Sequence, residues 1–270
     1  MTAVIEEVPA RARRKGPAVP ASVSKIGVQV LAAVVLLAAW QLASGRLIDE
    51  LYVSSPKAVA DSLVELIRDG RLLPNAWVTF SQAGLGFIVG MVAGIVIGNL
   101  MGTVHLFGRI ASPYVTFFYT MPRIAIAPLF VIWLGVDFNF KAAFVAFVVV
   151  FIFITPTYAG LSSMDPDLAN GIKVMGAGRW KVIWMAIFPQ QVLWITTTIK
   201  LALPTAIATD ITAEFVASHS GLGFMMNDAA GILDTASLLA EVVFISIVVT
   251  ALLGIVSLAE HRWFRWRNAG

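Results

Sequence analysis

Apolar runs long enough to cross a bilayer recur along this chain, separated by short polar segments. KAAFVAFVVVFIFITP and VLWITTTIKLALPTAIATDI are two of the apolar stretches. Crossing about 30 Å of hydrocarbon at 1.5 Å per residue takes roughly 20 mostly apolar residues in a helix. Hydrophobic residues make up 59% of the 270, and charged residues 13%. Soluble domains average about 45–50% and about 25%. In water such a chain would expose large apolar patches. The expected fold class is an all-α integral membrane protein.

Six spans are expected, at Lys25–Ser44, Thr79–Met101, Pro113–Leu134, Ala142–Leu161, Gln191–Phe215 and Ser237–Glu260. The third holds Pro113, Pro122, Pro128 and Arg123. Proline at membrane depth interrupts the backbone ladder, so this span is expected to be bent or split and buried in protein. The basic RARRK stretch, Arg11 to Lys15, is followed by Pro17 and Pro20 rather than directly by an apolar run. The first span therefore reads as retained rather than as a signal peptide. Residues 1–24 form an N-terminal tail, 25–265 the membrane domain, and 266–270 a C-terminal tail.

Basic residues sort by side. With the N-terminus inside, twelve Lys and Arg fall in cytoplasmic segments. Five (Arg46, Lys57, Arg68, Arg71 and Lys141) fall outside. That bias places both termini, and the polar insert Met164–Pro189, in the cytoplasm. The net charge of +3 is thus a matter of topology, not of nucleic-acid binding.

Between the first two spans, Ser55–Gly70 reads as a short amphipathic helix on the outer membrane surface. Ser55 is placed to cap it, Pro56 suits its first turn and Gly70 its end. Ala58, Leu63, Leu66 and Ile67 share its apolar face. In the second span Gly86, Gly90, Gly94, Gly98 and Gly102 recur every four residues. They lie on nearly one helix face, a groove that another backbone can approach closely. A moving helix seam, a dimer contact and static packing all fit that pattern.

Several chemistries have no residues to carry them. The chain has no cysteine, so no disulfide or thiolate metal site. It has no GxxxxGK[ST] loop for ATP, no HExxH and no GxSxG. Its three histidines, His105, His219 and His261, are scattered. Neither a metal site nor an enzyme active site is expected. Charges within the spans are Arg123, Lys200, Asp210 and Glu214. Each costs about 2.5–3.5 kcal/mol at a helix centre on insertion scales, so each should face protein or water. Asp210 and Glu214 share one face of the fifth span, and Glu214 is expected near the outer water interface. Lys200 is expected to pair or to snorkel inward. Arg123, Asp210 and Glu214 are the candidates for a translocation path, with Arg123 suited to attract an anion.

The insert Met164–Pro189 reads as helix, turn, helix. Asp165 is placed to cap, Pro166 suits the first position and Asp167 complements the helix dipole. Leu168, Ile172 and Met175 form an apolar stripe. Gly176-Ala177-Gly178 makes the turn. Arg179-Trp180-Lys181 opens a second helix, and Pro189 stops it. An apolar-faced helix held at the membrane surface by a glycine turn suits a groove on a soluble partner.

Here the sequence resembles a known family. Gly176 followed by Ile187-Phe188-Pro189, and Gly176-Ala177-Gly178-Arg179-Trp180, resemble the coupling loop of binding-protein-dependent ABC importer permeases. Pro122 to Leu129 with Trp133-Leu134-Gly135, Ala213-Glu214-Phe215, and Ser220-Gly221-Leu222-Gly223-Phe224 resemble the nitrate/sulfonate/taurine-type group. The resemblance spans roughly residues 30–265. At one place the chain departs from the pattern. The family's E-A-A triplet reads Asn170-Gly171-Ile172, which removes the glutamate charge.

The resemblance implies a type I importer bundle that works by alternating access as a permease dimer, most simply a homodimer. It implies two ATPase subunits, which bind ATP and Mg, and an extracytoplasmic solute-binding protein. This chain itself would bind no cofactor. It also implies residence in a bacterial inner membrane, and contact with the ATPase through Asp167, Leu168, Ala169, Asn170, Gly171, Lys173, Gly176, Ala177, Arg179 and Pro189. The resembled group imports small anions, and other members carry riboflavin or pyrimidine precursors. A small anion is the favoured cargo. A stand-alone channel or an ion-coupled secondary transporter is the alternative, and would move solute without nucleotide.

Overall fold

A computed structural model describes residues 25–47, 49–162, 174, 175, 178 and 188–263. Regular structure among them is helical. In chain order the helices are α1 (Lys25–Ala43), α2 (Pro56–Arg68), α3 (Leu72–Thr103), α4 (His105–Thr120), α5 (Arg123–Leu134), α6 (Phe138–Ser162), α7 (Phe188–Val216), α8 (Leu222–Gly231) and α9 (Thr235–Trp263).

Three of these are long and apolar enough to cross a membrane: α3, α6 and α9. A fourth span forms if α4 and α5 count as one; they meet at a 98° bend. Pro122, which caps α5 in an extended conformation, lies at that break. A proline there removes a donor and restricts the residue before it, so the helix cannot run through. The other two expected spans fall on α1, of 19 residues, and α7, of 29 residues.

The bundle is organised around α3 and α6. At each of the five glycines, a Cβ would collide with α6 or its side chains. At Gly86 it would lie 2.5 Å from the carbonyl oxygen of Ala142, and at Gly94 2.6 Å from that of Val150. At Gly102 it would meet Leu161 at 2.5 Å. The stripe is therefore covered by this chain's own α6. Phe87, Val145, Val149, Phe153, Ala202 and Ala206 fill the space where α7 joins the pair. A second cluster, including Ile126, Phe130, Phe140, Phe144 and Ala213, holds α5 against α6 and α7.

α2 forms as its local signals dictate. The Ser55 hydroxyl accepts from the N–H of Ala58 at 3.2 Å, Pro56 opens the helix, and Gly70 follows it at φ +67°. Its buried residues are Val59 and Leu66, packed with Leu72, Ala76, Leu222 and Ala240. Ile67, placed on the apolar face from sequence, is exposed. The neighbours at α3, α8 and α9 select a face turned slightly from the one that periodicity alone indicates.

Candidate functional site

Two polar regions lie on different sides of α7. The first is a cavity of about 150 Å³ between α5 and α7. Arg123, the first residue of α5 after the bend, stands on one wall. Thr205, Thr209 and Thr212 stand on the other, with Ile124, Phe144 and Ala208 completing the lining. The threonines fall at i, i+4 and i+7, one face of a helix with 3.6 residues per turn. Each hydroxyl donates to the carbonyl four residues back: Thr205 to Leu201 at 2.9 Å, Thr209 to Thr205 at 2.7 Å, Thr212 to Ala208 at 2.8 Å. Arg123 has no hydrogen-bond or ion-pair partner among the described residues. It also lines a smaller pocket where α4, α5 and α6 meet, with Phe118, Met121, Ile126 and Phe147.

The second region is sealed. Asp210 is 0% exposed and Glu214 1%, on the side of α7 turned away from the cavity. The Glu214 carboxylate accepts from the Thr79 hydroxyl at 2.9 Å and from the N–H of Gly223 at 2.6 Å. The N–H of Leu222 donates to the Thr79 hydroxyl at 2.8 Å, and that of Gly221 to the Asn75 side chain at 2.7 Å. Three consecutive amides at the start of α8 are thus taken up by three side chains from α3 and α7. An anion at a helix N-terminus meets both the free amides and the positive end of the dipole. Gly221 adopts φ +107°. At Gly223 a Cβ would lie 2.7 Å from Glu214 Cβ. The two short motifs Ala213-Glu214-Phe215 and Ser220–Phe224 are therefore two halves of one clasp.

Lys141 is the basic group of this region. It lies on α6, is buried at 3% exposure, and donates to the Ser218 hydroxyl at 2.7 Å. Its charge acts on both Asp210 and Glu214. Both oxygens of Asp210 are buried without a hydrogen-bond partner among the described residues.

These placements revise the sequence expectations. Glu214 is not solvated, because the segment after α7 folds back over it. Lys141 is not a solvated outer-loop charge; it lies in the first turn of α6 beneath that segment. Glu241 of α9, absent from the sequence list of membrane charges, is 1% exposed with one oxygen unpartnered. A lone acid inside the apolar run of α9 was the available signal. Lys200 pairs with Glu260. Among the described residues no His, Cys, Asp or Glu side chains group as a metal site. Of the residues expected to contact an ATPase, Asp167, Leu168, Ala169, Asn170, Gly171, Lys173, Gly176, Ala177 and Arg179 lie outside the described residues. Pro189 falls in the first turn of α7.

Comparison with known proteins adds the following. Residues 86–267 match the family model described as "Binding-protein-dependent transport system inner membrane component". A probable ABC transporter permease protein of Brucella abortus (strain 2308) is 29% identical over 92% of this chain and 98% of its own length. The putative aliphatic sulfonates transport permease protein SsuC of Bacillus subtilis (strain 168) is 28% identical, over 87% of this chain and 86% of its own. A solved amino acid ABC transporter, crystallised with histidines, superposes with a TM-score of 0.60 at 15% identity, covering 75% of this chain and 98% of that one. The last of these speaks to the fold alone.

Proposed function

This chain belongs to the binding-protein-dependent transport system inner membrane component family, and on that premise we propose that it moves a small anionic solute into the cytoplasm past Arg123. It is the membrane permease subunit of an ABC importer, in which ATP is used by a separate subunit. The observation that carries the anion reading is Arg123, unpartnered among the described residues, on the wall of a cavity otherwise lined by threonines and apolar residues. A charge at membrane depth must face protein or water, and one without a protein partner is a functional residue by default. Asp210 and Glu214 do not oppose an anion there, since both lie on the sealed side of α7.

The importer pairs two copies of this chain with two ATPase subunits and an external solute-binding protein. Both termini and the insert Met164–Pro189 face the cytoplasm, where the insert meets the ATPase. Within it Val174 and Met175 are 88% and 86% exposed, apolar side chains uncovered among the described residues. With Asn170 in place of a glutamate, apolar contact and shape carry the docking more than charge.

Two variants test this reading. Deleting Ala169–Gly176 should leave the subunit in the membrane but abolish co-purification of the ATPase and ATP-driven uptake; normal uptake would sink the coupling assignment. Arg123→Gln should keep the ATPase bound and lower anion uptake at least tenfold, as expected for about 1.4 kcal/mol or more of lost interaction. Uptake by R123Q at the wild-type rate would rule out the Arg123 path.

A further inference from the structure

Among the described residues, five buried side-chain atoms lack a hydrogen-bond partner, and three of them are the two oxygens of Asp210 and the amide oxygen of Gln82. The two residues are 0% and 2% exposed. Helix register brings them to one level. Thr79 of α3 bonds Glu214 of α7, and further along α3 Phe87 shares a packed cluster with Ala206. Numbers that rise along α3 therefore fall along α7 in step. Gln82, three residues after Thr79, comes level with Asp210, four before Glu214. Steps of three and four residues keep both on the helix faces that carry Thr79 and Glu214. All three orphan atoms are acceptors. Positive charge is short as well. The charges that act on Asp210 are those of Glu214 and Lys141, so one ammonium faces two carboxylates. Turning the Gln82 amide over would offer Asp210 an N–H but would add no charge. A buried charge left uncompensated is strongly destabilising.

We propose that Asp210, Gln82 and Glu214 bind one sodium ion between α3 and α7. The Asp210 carboxylate and the Gln82 amide supply oxygens with no other partner. Glu214 accepts from Thr79 and Gly223, and as a carboxylate it keeps further lone pairs for an ion. Hard cations take oxygen ligands of this kind. One unit of unmatched charge fits a monovalent ion, and a divalent ion would overshoot it. The absence of any larger group of acids and histidines among the described residues agrees with a single charge. The group is sealed, which favours a small ion over a large one. Bound there, sodium ties α3 to α7 one turn deeper than the Thr79–Glu214 bond. The site lies on the side of α7 away from the Arg123 cavity and does not depend on the anion reading.

The test is the unfolding midpoint of the permease in its purified complex with the ATPase, held in lipid nanodiscs. Sodium chloride is replaced stepwise by choline chloride at constant ionic strength and pH; choline is too large for a sealed site between two helices. The midpoint should rise with sodium without any change in ionic strength, as for a ligand that binds the folded state alone. Asp210→Asn keeps the shape and drops the charge, and it should abolish the difference between sodium and choline. Gln82→Met should raise the sodium concentration needed for half the effect by about tenfold. Glu260→Gln is the control. It removes an acid that pairs with Lys200 elsewhere on α7, and it should keep the wild-type difference. Equal midpoints in sodium and choline for the wild type overturn the proposal, and so does a sodium effect that survives D210N. If sodium does nothing while the midpoint shifts with pH, and D210N removes that shift, a proton takes the place and the sodium site falls.

Discussion

The hydroxyl of Thr79 donates to the carboxylate of Glu214, 135 residues further along the chain, at 2.9 Å. The same oxygen accepts the N–H of Leu222 at 2.8 Å. One small side chain on α3 therefore fixes the end of α7 and the start of α8 together. Thr79→Val would strip a donor from a buried carboxylate and an acceptor from a buried amide. Each buried polar group left unmatched costs about 1–3 kcal/mol. T79V should lower the thermal unfolding midpoint in detergent, while Thr79→Ser stays close to wild type. Equal midpoints for T79V and T79S would remove the clasp as a source of stability.

Gly223 is held where no side chain fits. A Cβ there would lie 2.7 Å from both Glu214 Cβ and the Ile211 carbonyl oxygen. Gly223→Ala should open the clasp and expose the 217–223 segment to protease. Gly231→Ala is the control, because nothing lies within 4 Å of a Cβ at that position. Limited proteolysis of the two variants side by side gives the comparison.

Lys141 is the basic group whose charge acts on both Asp210 and Glu214, and all three are buried. Removing one member of a buried charge group costs about 3–5 kcal/mol, because it leaves the others uncompensated. Lys141→Met should therefore destabilise strongly. Asp210→Asn should be mild, since it removes one of two acids from a group with a single base. The double variant should recover part of the loss. A double-mutant cycle on unfolding midpoints measures the coupling; strict additivity would show that Lys141 and Asp210 do not interact.

Along α3, Gly94→Ala would place a methyl 2.6 Å from Phe153 Cβ and from the Val150 carbonyl oxygen. Overpacking of this kind costs about 1–3 kcal/mol. Gly84, in the same helix, has nothing within 4 Å of its would-be Cβ. Gly84→Ala should be neutral or slightly stabilising, since alanine favours a helix by about 1 kcal/mol over glycine. Opposite shifts in unfolding midpoint are expected for the two. Equal shifts would mean that α3 and α6 pack less closely than described.

What the sequence reveals follows the range of the interaction that decides each feature. The α2 cap, the break at Pro122 and the small-residue face of α3 are set within a few residues, and all are legible from spacing. Arg123 is legible as a charge in a broken helix, but its threonine wall is not, because α5 and α7 meet only in three dimensions. Glu214 and Lys141 lie at the ends of apolar runs, a place that from sequence alone points to water. What buries them is the chain from Ala217 to Gly223, which returns over them and is held by Asn75 and Thr79. Pairings between residues 77 to 146 apart along the chain leave no periodic trace in sequence.

Close fitting of α3 on α6 has a kinematic consequence. Backbone atoms of α6 and the side chains of Val145, Val149, Phe153 and Leu161 fill the notches at successive glycines. Sliding one helix along the other by a single residue would drive those side chains into backbone. The pair therefore acts as a rigid spar. In the alternating access that the family resemblance implies, movement would fall to the parts outside that pair: α5 beyond its 98° elbow, and α9, whose apolar length is mostly uncovered within one chain.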